Sequence, residues 1–160
     1  MRNTLFAAAT LAVSSFGLAS CGTETATEIP DAVDGIDGVE ISNARIVLGP
    51  VAGNPAAVYF DVTYGGDRAL TIRAADVEGA GSSAMHQYGE WDGQTQMMEA
   101  LPVALASGSN VSFEPGGLHV MAMDPPAAWQ PGGTAEVTLT VSGGDKVSFP
   151  AEIRAAGEER

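Results

Sequence analysis

Apolar and polar residues alternate through most of the chain after residue 40, with a period of two that is typical of half-buried β-strands. The clearest alternating runs are residues 58–64, 135–141 and 147–153. Turn-forming sequences separate such runs: Gly65-Gly66-Asp67, Asp92-Gly93, Glu114-Pro115-Gly116-Gly117, Gly132-Gly133 and Gly143-Gly144-Asp145. No helical stretch of convincing length occurs. We therefore predict an all-β domain of roughly seven to nine short strands, folded as an antiparallel Greek-key β-sandwich.

The first twenty residues have the features of an export signal. Arg2 supplies a short positive start, and residues 5–18 are almost all apolar or small, but too few for a comfortable transmembrane helix. The sequence Leu18-Ala19-Ser20 before Cys21 resembles a bacterial lipoprotein box. That resemblance implies cleavage before Cys21 and lipidation of its thiol. Because Cys21 is the only cysteine, the alternatives are an unpaired thiol or an intermolecular disulfide.

An acidic segment separates the signal from the alternating region. Residues 22–40 contain six acidic residues, no basic residue and no aromatic residue. Such a segment cannot bury enough apolar surface to fold, so it is predicted to be a flexible tether. The predicted organisation is a signal peptide at 1–20, the lipidated Cys21 with its acidic linker at 21–40, a β-sandwich at 41–155 and a tail at 156–160.

The overall charge is strongly negative, at −13 for the full chain. Loss of Arg2 with the signal would leave −14. Nucleic acid is therefore not expected as a partner, because phosphate backbones require a basic surface. An acidic field instead favours cations and basic patches on partner proteins. No Ser-His-Asp set is evident, and we do not expect an enzyme.

Both histidines and five of the six methionines lie between Met85 and Met123. Methionines that only fill a core would be scattered over all the strands. Two imidazoles with two thioethers suit the soft ion Cu(I), whereas Zn²⁺, Mg²⁺ and Ca²⁺ prefer thiolate, imidazole or oxygen ligands. A blue-copper electron-transfer centre would need a cysteine thiolate, which a lipidated Cys21 cannot provide. The pattern therefore predicts a single Cu(I) site.

His119 and Met121 are two residues apart in a predicted strand, so their side chains share one face. Met123 lies on the same face and is a candidate accessory ligand. The neighbouring apolar side chains should point into the core: Leu118, Val120 and Ala122.

His86 and Met97 are predicted to lie on the two arms of a hairpin around Asp92-Gly93, a strong turn signal. A loop centred on residues 91–92 pairs His86 directly with Met97. A loop centred on residues 92–93 pairs His86 with Glu99 and leaves Met97 one diagonal step away on the same face. The sequence does not decide between these registers.

Both registers send Met85 and Met98 to the other face of the hairpin. A β-bulge would reverse that choice and bring Met98 toward His86 instead of Met97. Met85 and Met98 are therefore kept as accessory candidates.

Ten residues separate His86 from Met97, twenty-one separate Met97 from His119, and one separates His119 from Met121. This spacing resembles the signature of the periplasmic copper chaperones called PCuAC (DUF461-like). Residues 116–121, Gly-Gly-Leu-His-Val-Met, are similar to that family's Gly-Gly-aromatic-His-x-Met strand. Residues 57–60 resemble its early strand, and residues 132–141 with 147–153 resemble its closing strands. The resemblance covers about residues 42 to 153.

The resemblance implies a cupredoxin-like sandwich with one exposed Cu(I), bound by His86, Met97, His119 and Met121. It also implies a carrier of copper in the bacterial cell envelope. The separate resemblance to a lipoprotein box implies that this carrier is lipid-anchored at Cys21 on the periplasmic face. The expected acceptor is the copper subunit of cytochrome c oxidase, with its dinuclear copper centre, and we expect a monomer. The alternatives are a copper-buffering or resistance lipoprotein and a non-metal structural β-sandwich.

Overall fold

The computed structural model describes residues 35–158, which form ten β-strands and no helix. The strands are β1 (Val39–Val47), β2 (Ala56–Tyr64), β3 (Leu70–Val77), β4 (Ser82–Trp91), β5 (Gln94–Glu99), β6 (Val103–Leu105), β7 (Ser109–Phe113), β8 (His119–Met123), β9 (Thr134–Val141) and β10 (Lys146–Arg154). The predicted all-β class is confirmed, with slightly more strands than expected.

The strands join in the order β5-β4-β8-β2-β1-β10-β9-β3-β6, with β7 also paired to β2. The pairing of β1 with β10 is parallel, in a sandwich that was predicted to be antiparallel. The other strand pairs among the described residues are antiparallel. β3 also contacts β4 and β8 without pairing to them, so strands from the two ends of this path lie close together.

In β9 and β10 the alternation in the sequence corresponds directly to the buried face of the strand. In β9 the side chains of Ala135, Val137, Leu139 and Val141 are buried. Phenylalanine side chains fill the centre of the core, where the ring of Phe60 on β2 stacks on Phe113 at 4.1 Å. The Phe60 ring also meets the ring of Phe149 on β10, with 5.1 Å between the ring centroids. Trp129, in the loop between β8 and β9, is also buried as part of this core. These side chains are buried because transfer of apolar surface out of water is favourable.

β1 begins at Val39, two residues before the predicted domain boundary, and Glu40 already pairs with Thr63 of β2. The predicted signal peptide, the lipidation site at Cys21 and most of the acidic linker lie outside the described residues. No candidate membrane-spanning helix occurs between residues 35 and 158.

Two features of the sheet place the histidines and methionines together. β7 and β8 both pair with β2, and the loop at residues 114–118 interrupts what would otherwise be one long strand. β4 pairs with β8 only over residues 82–86. Beyond His86, β4 continues to Trp91 with β5 as its partner, so this part of the hairpin extends past the end of β8.

Candidate metal centre

His86 of β4 and His119 of β8 lie directly opposite each other in the antiparallel register. Their ring centroids are 6.1 Å apart and the ring planes differ by 27°. The preceding pair along these strands, Met85 with Val120, is buried in the core. Since successive side chains point to opposite faces of a sheet, the two imidazoles share the face that is turned away from this core pair.

The His119 ring is held in a fixed orientation. Its Nδ1 atom lies 2.9 Å from the carbonyl oxygen of Gly117. A carbonyl oxygen can only accept, so Nδ1 carries the proton and donates it. In the neutral ring, Nε2 then has its lone pair free for a ligand, and a backbone carbonyl on the other nitrogen is the usual support of a metal-bound histidine.

His86 has a buried ring nitrogen that lacks a hydrogen-bond partner. Among the described residues this is Nδ1, and no other buried side-chain nitrogen or oxygen there is left without a partner. An unsatisfied buried polar group typically costs about 1–3 kcal/mol. A ligand that bonds to Nδ1 of His86 would relieve that cost.

The register of the β4–β5 hairpin is set by its turn. Asp92 and Gly93 both have positive φ angles, of 52° and 70°, as the two central residues of a type I′ turn require. The second of the two predicted registers is therefore the observed one, with His86 opposite Glu99 and Met97 opposite Tyr88. Met97 lies one diagonal step from His86, a Cα separation of about 7–8 Å that long side chains can bridge.

Met121 approaches the histidine pair from the other direction along the sheet. It lies two residues from His119 on β8 and pairs with Ala84 of β4 and Ala57 of β2. These small neighbours leave space beside the Met121 side chain, which is partly buried. Met97, by contrast, is 44% exposed. The structure thus brings His86, His119 and Met121 together on one face, with Met97 at its outer margin.

The accessory candidates divide between the two faces. Met85 is buried in the core and lies away from the imidazoles. Met98 also lies on the other face, against Gly89, where an added Cβ would be 2.8 Å from the Met98 Cε. Met123 shares the His119 face and pairs with Ser82 at the far end of β4. The hairpin contains no shift in register between β4 and β5 that would exchange Met97 for Met98.

Two tyrosines at the site were not among the predicted site residues. The Tyr88 ring centroid is 5.6 Å from that of His119, and the Tyr59 ring is 6.4 Å from it. Tyr88 could have been found from the sequence, because it lies two residues from His86 on the same strand and therefore on the same face. Tyr59 is on β2, two strands away from His86, and only the tertiary pairing brings it to His119.

A charged group borders the site on β1 and β2. The Arg45 guanidinium lies over the Tyr59 ring, 5.2 Å from its centroid. The Asn43 side chain donates to the Asp61 carboxylate at 2.7 Å. That hydrogen bond, with smaller contributions from Ser112 and the charge of Arg45, lowers the pKa of Asp61 below its usual value, although desolvation opposes the shift.

Comparisons with known proteins identify the family of this chain. Residues 39–153 match the family described as "Putative lipoprotein LpqE-like". The chain belongs to the LpqE-like lipoprotein family. A protein of Leifsonia xyli subsp. xyli named "Putative lipoprotein Lxx21020" is 29% identical over 141 residues, which cover 88% of this chain and 84% of that protein.

Solved structures resemble this LpqE-like chain in fold. The copper-bound PCuAC domain from PmoF2 has a TM-score of 0.61 and 21% identity, with 76% of this chain and 96% of that domain covered. The apo PCuAC domain from PmoF1 has a TM-score of 0.63 and 23% identity, with coverage of 76% and 97%. CuI-DR1885 from Deinococcus radiodurans has a TM-score of 0.57 and 21% identity, with coverage of 78% and 82%. The predicted cupredoxin-like PCuAC fold is thereby confirmed.

Proposed function

We propose that this protein is a copper carrier that binds one Cu(I) through His86, Met97, His119 and Met121. The observation that supports this most strongly is the histidine pair. His119 has Nδ1 committed to a backbone carbonyl, which leaves Nε2 for a ligand, and His86 has a buried nitrogen without a partner. Two imidazoles facing each other on one sheet can bind one ion between them.

The thioethers make the proposed site selective for a soft ion. Met121 is on the same strand and face as His119, and Met97 is a diagonal neighbour of His86. Thioethers are neutral and polarizable, so they suit Cu(I) and compete poorly for hard cations. They also carry no thiol, so the site would remain usable in an oxidising compartment where free thiols are lost.

The similar structures support copper as the cargo, since two of them, the PmoF2 domain and CuI-DR1885, are copper-bound forms. Copper would be released by ligand exchange, in which an acceptor's sulfur or imidazole displaces one thioether at a time. Met97, which is half-exposed at the margin of the site, is the ligand that an acceptor reaches first. Membership of a lipoprotein family supports a location in the cell envelope, with Cys21 as the lipidated anchor.

Copper binding is tested by titrating Cu(I) against a competing chelator with the wild type and with His86→Ala and Met121→Leu variants. We expect both variants to bind Cu(I) at least roughly tenfold more weakly. Even the loss of a residue that only hydrogen-bonds to a metal ligand typically lowers metal affinity by about 10–100-fold. Gln87→Ala is the matched control, because Gln87 follows His86 but lies on the other face of β4. Equal affinity for all four proteins would refute the site.

Delivery is proposed as the use of the bound copper, toward the dinuclear copper centre of cytochrome c oxidase. A strain that lacks this protein should lose oxidase activity under copper limitation, and activity should return when the medium is supplemented. The second candidate function is copper buffering. Membership of a lipoprotein family and the acidic composition of the chain are equally compatible with it. Buffering predicts normal oxidase activity and sensitivity only to excess copper.

The anchor at Cys21 is tested separately by fractionation. The wild-type protein should be recovered with membranes, and a Cys21→Ser variant should be released into the soluble fraction of the envelope. Equal membrane recovery of both proteins would refute lipid anchoring at this residue without affecting the copper site.

A further inference from the structure

His119 is almost completely buried although it lies on the face of the sheet turned away from the core. Its side chain is 2% exposed, and three rings surround it: those of His86, Tyr59 and Tyr88. Tyr59 is itself buried, with 8% exposure. Tyr88 is 44% exposed, and its ring is the nearest of the three to His119. Tyr88 is therefore the outer layer between the His119 imidazole and the solvent.

Tyr88 belongs to the part of the hairpin that has no third strand. β4 pairs with β8 as far as His86, and from Tyr88 to Trp91 it pairs with β5. Most residues from Tyr88 to Met97 are exposed. A two-stranded ribbon with few buried contacts belongs to the least stable parts of a fold and opens at low cost.

Tyr88 and Met97 are directly paired across this ribbon, with both side chains on the histidine face. Any displacement of the outer hairpin therefore moves both residues together. A single motion would uncover His119 and withdraw the most exposed thioether of the proposed site. By contrast, Trp91 is 70% exposed near the tip and lies on the opposite face of the ribbon.

We propose that Tyr88 is a positioning residue that covers His119 and limits the rate at which copper enters and leaves the site. Its role in copper exchange rests on the proposed function, whereas the covering of His119 does not. The Tyr88 phenol is not itself a copper ligand. It shields the imidazole until the outer hairpin moves or an approaching acceptor displaces the ring.

The covering is tested first on metal-free protein by labelling with diethyl pyrocarbonate, followed by mass spectrometry of each histidine. In the wild type, His119 should react more slowly than His86, which is less buried. Tyr88→Ala should raise the His119 rate by roughly three- to tenfold, the change that corresponds to a lost aromatic contact. Tyr88→Phe, which keeps the ring, should react like the wild type, and Trp91→Ala should leave the His119 rate unchanged.

An unchanged His119 rate in Tyr88→Ala would overturn the proposal. Equal acceleration in Trp91→Ala would also overturn it, because general loosening of the hairpin and not removal of the covering ring would then explain the effect. Increased labelling of His119 in Tyr88→Ala alone, with His86 labelled as in the wild type, would support it.

The second readout is the rate of Cu(I) transfer from the loaded protein to a chelator in excess. Tyr88→Ala should transfer copper roughly three- to tenfold faster than Tyr88→Phe and the wild type, with a smaller change in equilibrium affinity. Equal transfer rates would overturn the proposed role in exchange. If the wild type binds no Cu(I), the proposed function fails, and the labelling experiment on metal-free protein still decides whether Tyr88 covers His119.

Discussion

The adjacent methionines Met97 and Met98 provide a sharp test of the site, because the hairpin register places them on opposite faces. Met97 pairs with Tyr88 on the histidine face, and Met98 pairs with Gln87 and lies against Gly89 on the other. Leucine replaces methionine with similar volume and removes the sulfur. Met97→Leu and Met98→Leu are therefore matched substitutions that differ mainly in which face loses its thioether.

Without copper, both variants should be nearly as stable as the wild type. Exchanges of methionine and leucine that conserve volume usually cost less than about 1.5 kcal/mol, and Met97 is 44% exposed. With copper the two variants should differ. Loss of a direct ligand should weaken binding at least tenfold, equivalent to ~1.4 kcal/mol. At free Cu(I) of 100 times the wild-type Kd, bound copper adds about 2.7 kcal/mol to the free energy of unfolding, and a tenfold weaker site adds only about 1.4 kcal/mol.

The assay is denaturant unfolding of each protein with and without Cu(I) at a fixed, chelator-buffered free concentration. We expect copper to stabilise Met98→Leu as much as the wild type and Met97→Leu by about half as much. Equal stabilisation of the two variants would refute the assignment of Met97. Weaker stabilisation of Met98→Leu alone would show that the ribbon presents the opposite face to the metal.

Three further changes test the scaffold by chemical denaturation. His119→Ala should destabilise the metal-free protein by roughly 2–4 kcal/mol, since it removes a 2%-exposed ring and its bond to a backbone carbonyl; a loss below about 1 kcal/mol would contradict that burial. Phe113→Ala should cost about 3–5 kcal/mol because it empties a stacked position in the core, and near-wild-type stability would contradict the packing. Asn43→Gly keeps the positive φ of 56° but removes the amide that lowers the pKa of Asp61. A lowered pKa stabilises the fold above the unfolded-state pKa, so the deficit of this variant should be full at neutral pH and shrink as pH falls through the folded-state pKa; a deficit independent of pH would contradict this reason.

The strands could be predicted where one face of each strand is buried and the other is not. Residues 58–64, 135–141 and 147–153 alternate because their strands pack one face on the core, and the structure places strands at all three. The parallel pairing of β1 with β10 could not be predicted. It joins segments that are about a hundred residues apart, and no local pattern specifies such a partner.

The side of the sheet on which each site residue lies could be predicted more reliably than the residues that surround it in the fold. Parity alone puts His86 and Met97 on one side of the hairpin in either register, and the turn residues Asp92 and Gly93 then select the register through their backbone angles. The burial of His119 could not be predicted, since it depends on rings from β2 and β4 that meet only in the folded sheet. The family resemblance implied an exposed copper, whereas His119 is almost fully buried and Met97 is the exposed member of the set.

Two imidazoles and two thioethers are proposed to bind one Cu(I) on this face of the sheet. X-ray absorption of the Cu(I)-loaded protein counts the nitrogen and sulfur neighbours of the metal directly. We expect two nitrogen and two sulfur neighbours in the wild type and one sulfur fewer in Met121→Leu. Copper without any sulfur neighbour, or with the same sulfur count in both proteins, would rule out this set of ligands.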